Sequence, residues 1–255
     1  MRKNKTVAKI AEIFFASGIP VLAVANFAKS RQNFYSSLPL LFFIIFIGGW
    51  HVKTFNDNCE EGNVLISSGV VFPLFLLPFV FAYNFISGFF LLITIINWDF
   101  YSIFGKKKFF LSMFHNFLGG FLHYYIGISA LGVTAELFKP EAFFFAFAML
   151  GGSMHHDAYH CDEDLKKNIH TGAVKFGKDL WWSLAVFPMM FSIFFLPYCD
   201  KEFAFLFSLL ALLPYFTGYL IIISSAIHPS KLVFFRLVCR MLFGFAALIY
   251  IVLKL

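Results

Sequence analysis

Charge is scarce in this sequence. Of its 255 residues 20 are Lys or Arg and 14 are Asp or Glu, 13% together, where a soluble domain carries about a quarter. So few charges cannot coat a water-exposed surface, which excludes a soluble globular domain, and a chain this apolar is not a disordered one. Cysteine is scarce too: the four thiols, Cys59, Cys161, Cys199 and Cys239, show no pairing by spacing, which excludes a disulfide scaffold. Cys59 and Cys161 fall in segments read as cytosolic, so both are expected to be reduced. No linker is long enough to separate a pair of domains and no internal repeat is strong, so residues 1–255 read as a single integral-membrane domain. What is plentiful is apolar surface: 60% of the chain is hydrophobic and 40 residues are Phe. A net charge of +6 would suit a nucleic-acid binder, but in a chain this apolar it reports topology.

The apolar runs are continuous, which selects helices over barrel strands as the spanning elements. The expected fold is all-α, a polytopic transmembrane bundle of about nine helices over 7–27, 37–55, 64–84, 85–100, 109–132, 141–158, 178–197, 202–224 and 232–253. Only Tyr83-Asn84 and Ser87-Gly88 interrupt the stretch that holds the third and fourth, so eight spans is the alternative. Nine spans with a cytoplasmic N-terminus place fifteen of the 20 Lys and Arg residues on the cytoplasmic side. That agrees with the rule that positive charge stays inside, and it puts Leu255 on the opposite side. The opening segment also has the outline of a signal peptide, with a basic head and the small residues Ala23-Val24-Ala25. Its apolar run is long enough to span, and removing it would reverse the charge bias.

Ionisable residues at the ends of membrane helices are the informative ones in such a chain. Two acidic clusters fall on the expected cytoplasmic face. The first runs Asn56-Asp57-Asn58-Cys59-Glu60-Glu61, and the second runs His155-His156-Asp157-Ala158-Tyr159-His160-Cys161-Asp162-Glu163-Asp164. In helical geometry Asp57 and Glu60 share a face, as do Asp157, His160 and Asp164. Crowded carboxylates repel unless a cation sits among them, and oxygen donors favour Mg²⁺, which completes its shell with phosphate. Lys106, Lys107 and Lys108 lie between the clusters in sequence and could neutralise a diphosphate. The constellation asks for a phosphorylated ligand with a greasy tail, taken from the membrane. Glu61, Asp162 and Glu163 read equally well as solvated loop charge, and the lysines as a topology signal or a contact to membrane-lipid headgroups.

At these residues the sequence resembles the UbiA superfamily of intramembrane prenyltransferases. Asn56-Asp57-x-x-Glu60 is similar to the family's first aspartate-rich motif. Asp157 to Asp164, with the trailing Lys167-Asn168-Ile169-x-Thr171, is similar to the second, and Tyr101-Ser102 followed by Lys107 and Lys108 resembles its Tyr-Ser segment. The chain departs from the pattern at Val64 and His160, where the family commonly has Asp, and at Glu60, which stands for an Asp. The resemblance implies Mg²⁺ held by Asp57, Glu60, Asp157 and Asp164, with His160 in the second motif's set. It also implies an isoprenoid diphosphate bound by Asn56, Tyr101, Lys107, Lys108 and Lys167. Asp57, Asp157, Asp164 and Lys107 would act in ionisation, and the prenyl group would pass to an aromatic or other lipid-soluble acceptor. Phe114, Phe117 and Phe121 on the fifth helix are candidates to shield the resulting cation, and His115, His123 and Tyr124 candidates to position the acceptor.

Three other readings use the same residues. A terpene cyclase of the same superfamily would capture the cation within its own chain. His156-x-x-x-His160, with His155, Cys161 and His170, could be one histidine box of a membrane oxygenase, although such enzymes need several and His51, His115 and His123 are not spaced as further ones. A non-catalytic membrane protein could have kept the fold while losing some of the motif residues.

Overall fold

The computed structural model describes residues 18–28, 30–60, 68–132, 139–225 and 229–254, together with Ile10 and Ile13. Among the described residues the chain is all helical. In order come α1 (Gly18–Phe27), α2 (Arg31–Glu60), α3 (Ser68–Tyr83), α4 (Phe85–Ile103), a 3₁₀ turn (Gly105–Lys107), α5 (Phe109–Ala130) and α6 (Glu141–Lys166). The short helices α7 (Gly172–Phe176), α8 (Lys178–Leu184) and α9 (Val186–Ile193) follow, then α10 (Lys201–Phe207), α11 (Leu213–Ile223) and α12 (Pro229–Lys254). Five described helical segments are long and apolar enough to cross a membrane: Arg31–Glu60, Phe85–Lys107, Lys178–Tyr198, Lys201–Ile223 and Ser230–Lys254. Gly18–Phe27 and Gly69–Tyr83 are apolar but shorter.

The departures from nine uniform spans have local causes. The stretch expected to hold the third and fourth spans breaks at Asn84, whose side chain accepts from Ser87 N–H at 3.0 Å and caps α4. Its amide donates to the Ser129 carbonyl at 3.1 Å. The segment expected as one helix over 178–197 divides at Ala185, because Pro188 has no N–H for the Leu184 carbonyl. A π-helical turn over Ser208–Leu212 precedes Pro214, widening the helix where the same donor is missing.

The chain forms two compact units. The first comprises residues 1–104 and 121–138, the second residues 105–120 and 139–255. In the first, α2 packs on α3 and α4, and its buried residues Phe34, Ser37, Leu41, Ile44, Gly48 and His51 are spaced three or four apart along one face, with Ile47 beside Gly48. Gly48 allows this approach: a side-chain carbon there would stand 2.8 Å from Leu91 of α4. In the second unit α6 packs on α7, α8 and α9. Aromatic rings fill its interior: Phe203 meets Phe207 at 4.1 Å, Tyr250 at 5.3 Å and Phe144 at 5.5 Å. Many other Phe residues face outward, among them Phe75, Phe79 and Phe110, as expected of a lipid-facing surface.

Candidate functional site

The first acidic motif is carried on the last turns of α2, in the first unit. Asp57 pairs with Lys53 one turn earlier, Nζ to Oδ1 at 3.3 Å. Asn56 makes two bonds: its amide donates to Glu60 at 3.1 Å, and its carbonyl oxygen accepts from Ser102 at 3.2 Å. Ser102 lies at the end of α4 beside Tyr101, whose ring stands edge-on to Trp98 at 5.4 Å. The Tyr-Ser segment is therefore joined to the motif through Ser102. Glu61 and Val64 lie outside the described residues.

One feature of this unit has no counterpart among the expected site residues. His51, fully buried on α2, faces Asp99 of α4 at 3.1 Å through Nε2 and the Val70 carbonyl at 2.8 Å through Nδ1. Both ring nitrogens face acceptors, so the His51–Asp99 pair must hold one proton beyond a neutral imidazole and a carboxylate. A lone Asp within an apolar helix was the available signal.

The second motif ends α6, in the second unit. Asp157 is only 5% exposed, while Asp164, two turns on, is half-buried. The two carboxylates act on each other, and Lys106 of the 3₁₀ turn also acts on Asp157. The indole N–H of buried Trp181 lies beside Asp157 but outside hydrogen-bonding geometry. Gly172 makes room for that indole, because a side-chain carbon at this position would overlap the Trp181 ring. The helix stops immediately after the motif: Asn168 takes a left-handed conformation, φ 55°, and Ile169 N–H returns to the Asp164 carbonyl at 2.9 Å. Thr171 then caps α7 by accepting from Val174 N–H.

His160 turns its Nδ1 to Glu163 at 3.0 Å, and its ring lies 4.4 Å from that of His156, so it belongs to the neighbouring stripe of α6. Lys107 and Lys108 are exposed, and Lys167 caps the C-terminus of α6 through its backbone N–H. Burial, followed by the charges of Asp162 and Asp164, pushes the Cys161 thiol up, so it stays protonated. Phe114 points outward, Phe117 packs on Phe147 at 4.9 Å, and Phe121 packs on Tyr125 at 4.8 Å. His123 is edge-on to Trp98 at 6.2 Å, also as a packing contact.

In neither unit do three His, Cys, Asp or Glu side chains among the described residues gather as a metal-binding group. Pairs of carboxylates fit Mg²⁺, which takes one or two from protein and the rest of its shell from phosphate and water. They do not fit a histidine-box ion. Arg236 occupies Nδ1 of His156 at 2.6 Å, and the imidazole's own proton then lies on Nε2, so that ring has no lone pair to offer a metal.

No family profile and no curated protein matches the sequence. Solved structures match in fold over nearly the whole chain. Digeranylgeranylglyceryl phosphate synthase aligns at TM-score 0.68 and 17% identity, covering 99% of this chain and 98% of that one. A UbiA homolog from Archaeoglobus fulgidus bound to DMAPP and Mg²⁺ aligns at TM-score 0.61 and 15% identity, covering 94% and 96%. The same homolog bound to GPP and Mg²⁺ gives 0.62 and 15%, covering 94% and 97%. The fold is thus the UbiA-type helical fold, reached at low sequence identity.

Proposed function

We propose that this chain is an intramembrane prenyltransferase that ionises an isoprenoid diphosphate with Mg²⁺ and passes the prenyl group to a lipid-soluble or aromatic acceptor. The observation that carries the reading is the Asp157–Asp164 pair: two carboxylates in each other's field, one buried, at the end of α6 beside Lys106. The similarly folded Archaeoglobus homolog binds Mg²⁺ together with DMAPP or GPP, a cation that such a carboxylate pair suits.

The residues that would hold Mg²⁺ are Asp57 and Glu60 in the first motif and Asp157 and Asp164 in the second. Bound there, the ion would supply positive charge to the departing diphosphate oxygens. Asn56, fixed by Ser102, orients the first motif. Lys106, Lys107 and Lys108 stabilise the charge that grows on the diphosphate as the allylic carbon–oxygen bond breaks and its electron pair leaves with the oxygen. The nucleophile of the acceptor then bonds to the allylic carbon and gives up a proton. Apolar side chains keep water from the cation in the interval. Nine spans with the motifs on the cytoplasmic side complete the reading, supported by the fifteen-to-five distribution of Lys and Arg.

The test is incubation of the purified protein with Mg²⁺ and a panel of prenyl diphosphates, with diphosphate release and products measured with and without acceptor. Release that requires acceptor supports transfer. A cyclic hydrocarbon formed without acceptor would replace transfer by cyclisation, and no release with any member of the panel would reject both.

A further inference from the structure

Trp181 lies beside the second motif, and the proposed chemistry gives it no part. The chain that carries it turns back directly after the motif: left-handed Asn168 ends α6, the Thr171 cap starts α7, and Gly177, at φ 90°, leads into α8. This return sets the indole against Gly172, where a single added carbon would overlap the ring. Phe176 stacks on the indole at 5.9 Å, 18° from parallel, and Phe109 of α5 meets it edge-on at 6.1 Å. The Lys175 ammonium lies over both phenyl rings, 4.6 Å from the centre of Phe109 and 5.3 Å from that of Phe176. An indole held by Gly172, Phe176 and Phe109 has one orientation, so its N–H has one direction.

That N–H acts on the Asp157 carboxyl. Yet among the described residues no acceptor meets it in hydrogen-bonding geometry, and Nε1 is closed to water. A buried donor without an acceptor is costly and rare. An indole N–H only donates, so it can neither ligate a cation nor carry charge. What it can do is bond an oxygen, and the carboxyl it acts on is that of Asp157. Mg²⁺ takes oxygens from one or two carboxylates, and a ligating carboxylate is itself held by a hydrogen bond. A rigid donor beside a buried carboxylate is the arrangement this requires.

We infer that Trp181 is a positioning residue for the second motif: once a divalent cation takes one oxygen of Asp157, the indole N–H bonds the other and fixes the carboxylate as a single-oxygen ligand. The inference rests on the reading that Asp157 helps to hold Mg²⁺.

The full chain in detergent, with tryptophan labelled at its indole nitrogen, tests this without turnover. Its four tryptophans give four indole N–H resonances, and that of Trp181 is the one missing from Trp181→Phe. Mg²⁺ added with geranyl thiolodiphosphate, whose carbon–sulfur bond resists ionisation, should move the Trp181 proton downfield, as a newly formed hydrogen bond does. Calorimetry with the same analogue should show Mg²⁺ bound about tenfold or more weakly by Trp181→Phe, which keeps a ring and loses the N–H. Gly172→Ala displaces the indole with its N–H intact and should weaken Mg²⁺ binding similarly. Turnover of Trp181→Phe at saturating Mg²⁺ should fall by less than its Mg²⁺ affinity. An unmoved Trp181 resonance in wild type that binds Mg²⁺, or wild-type Mg²⁺ affinity in Trp181→Phe, would overturn the inference and leave the metal reading standing. A wild type that binds no Mg²⁺ with the analogue, or binds it no better than Asp157→Ala, would overturn both.

Discussion

The two acidic motifs end helices in similar fashion and differ in how their charge is balanced. In the first, the partners are close in sequence or are neutral: Lys53 sits one turn from Asp57, and Asn56 bonds Glu60 and Ser102. In the second, Asp157 is buried beside Asp164, with Lys106 reaching it from the turn before α5 and the Trp181 N–H unbonded nearby. The first motif thus has a lysine of its own helix on Asp57, whereas in the second the two carboxylates act on each other.

Removing carboxylates should break this comparison most visibly. Asp164→Ala and Asp57→Ala are each expected to lower diphosphate release by about a hundredfold or more, and unchanged release in both would reject the proposed motifs. Gly172→Ala comes next. Its methyl group would overlap the Trp181 ring, which has little freedom to move, and unfolding in detergent should register a loss of about 1–3 kcal/mol. A variant as stable as wild type would mean that Trp181 is not fixed beside Asp157.

Asp157→Asn sharpens the contrast because stability and turnover should move in opposite directions. Neutralising the buried acid relieves its repulsion with Asp164, so the metal-free protein should gain about 1 kcal/mol while turnover falls. Asp57→Asn, which loses the Lys53 pair, should show no such gain, and equal stability changes in the two variants would erase the proposed difference. The smallest effect is expected for Lys53→Gln. That ion pair is partly exposed, and its loss should cost about 0.5 kcal/mol or less in the same unfolding measurement.

Much of the fold was legible because hydrophobic runs and helix breakers act locally. The stop at Asn84 follows from one polar residue within an apolar stretch, and the break at Ala185 follows from the absent N–H of Pro188. The motifs were legible because carboxylates three or seven apart must share a helical face. Less legible was the direction of each polar group along those helices. His160 belongs to the motif by spacing, yet its ring turns to Glu163, and Phe114 shares a helical stripe with Phe117 yet faces outward. The neighbour that decides such a direction comes from another helix or from a competing residue on the next stripe.

The sequence by itself determined an all-helical membrane chain and the positions of its acidic helix ends, since both depend on composition and on spacing within single segments. Tertiary structure alone decided that Asp99 meets His51, that Trp181 covers Asp157, and that Arg236 meets His156. These pairs are separated by 48, 24 and 80 positions. No period in the sequence links residues so distant, and they meet because packing the apolar faces of the helices brings their polar groups together.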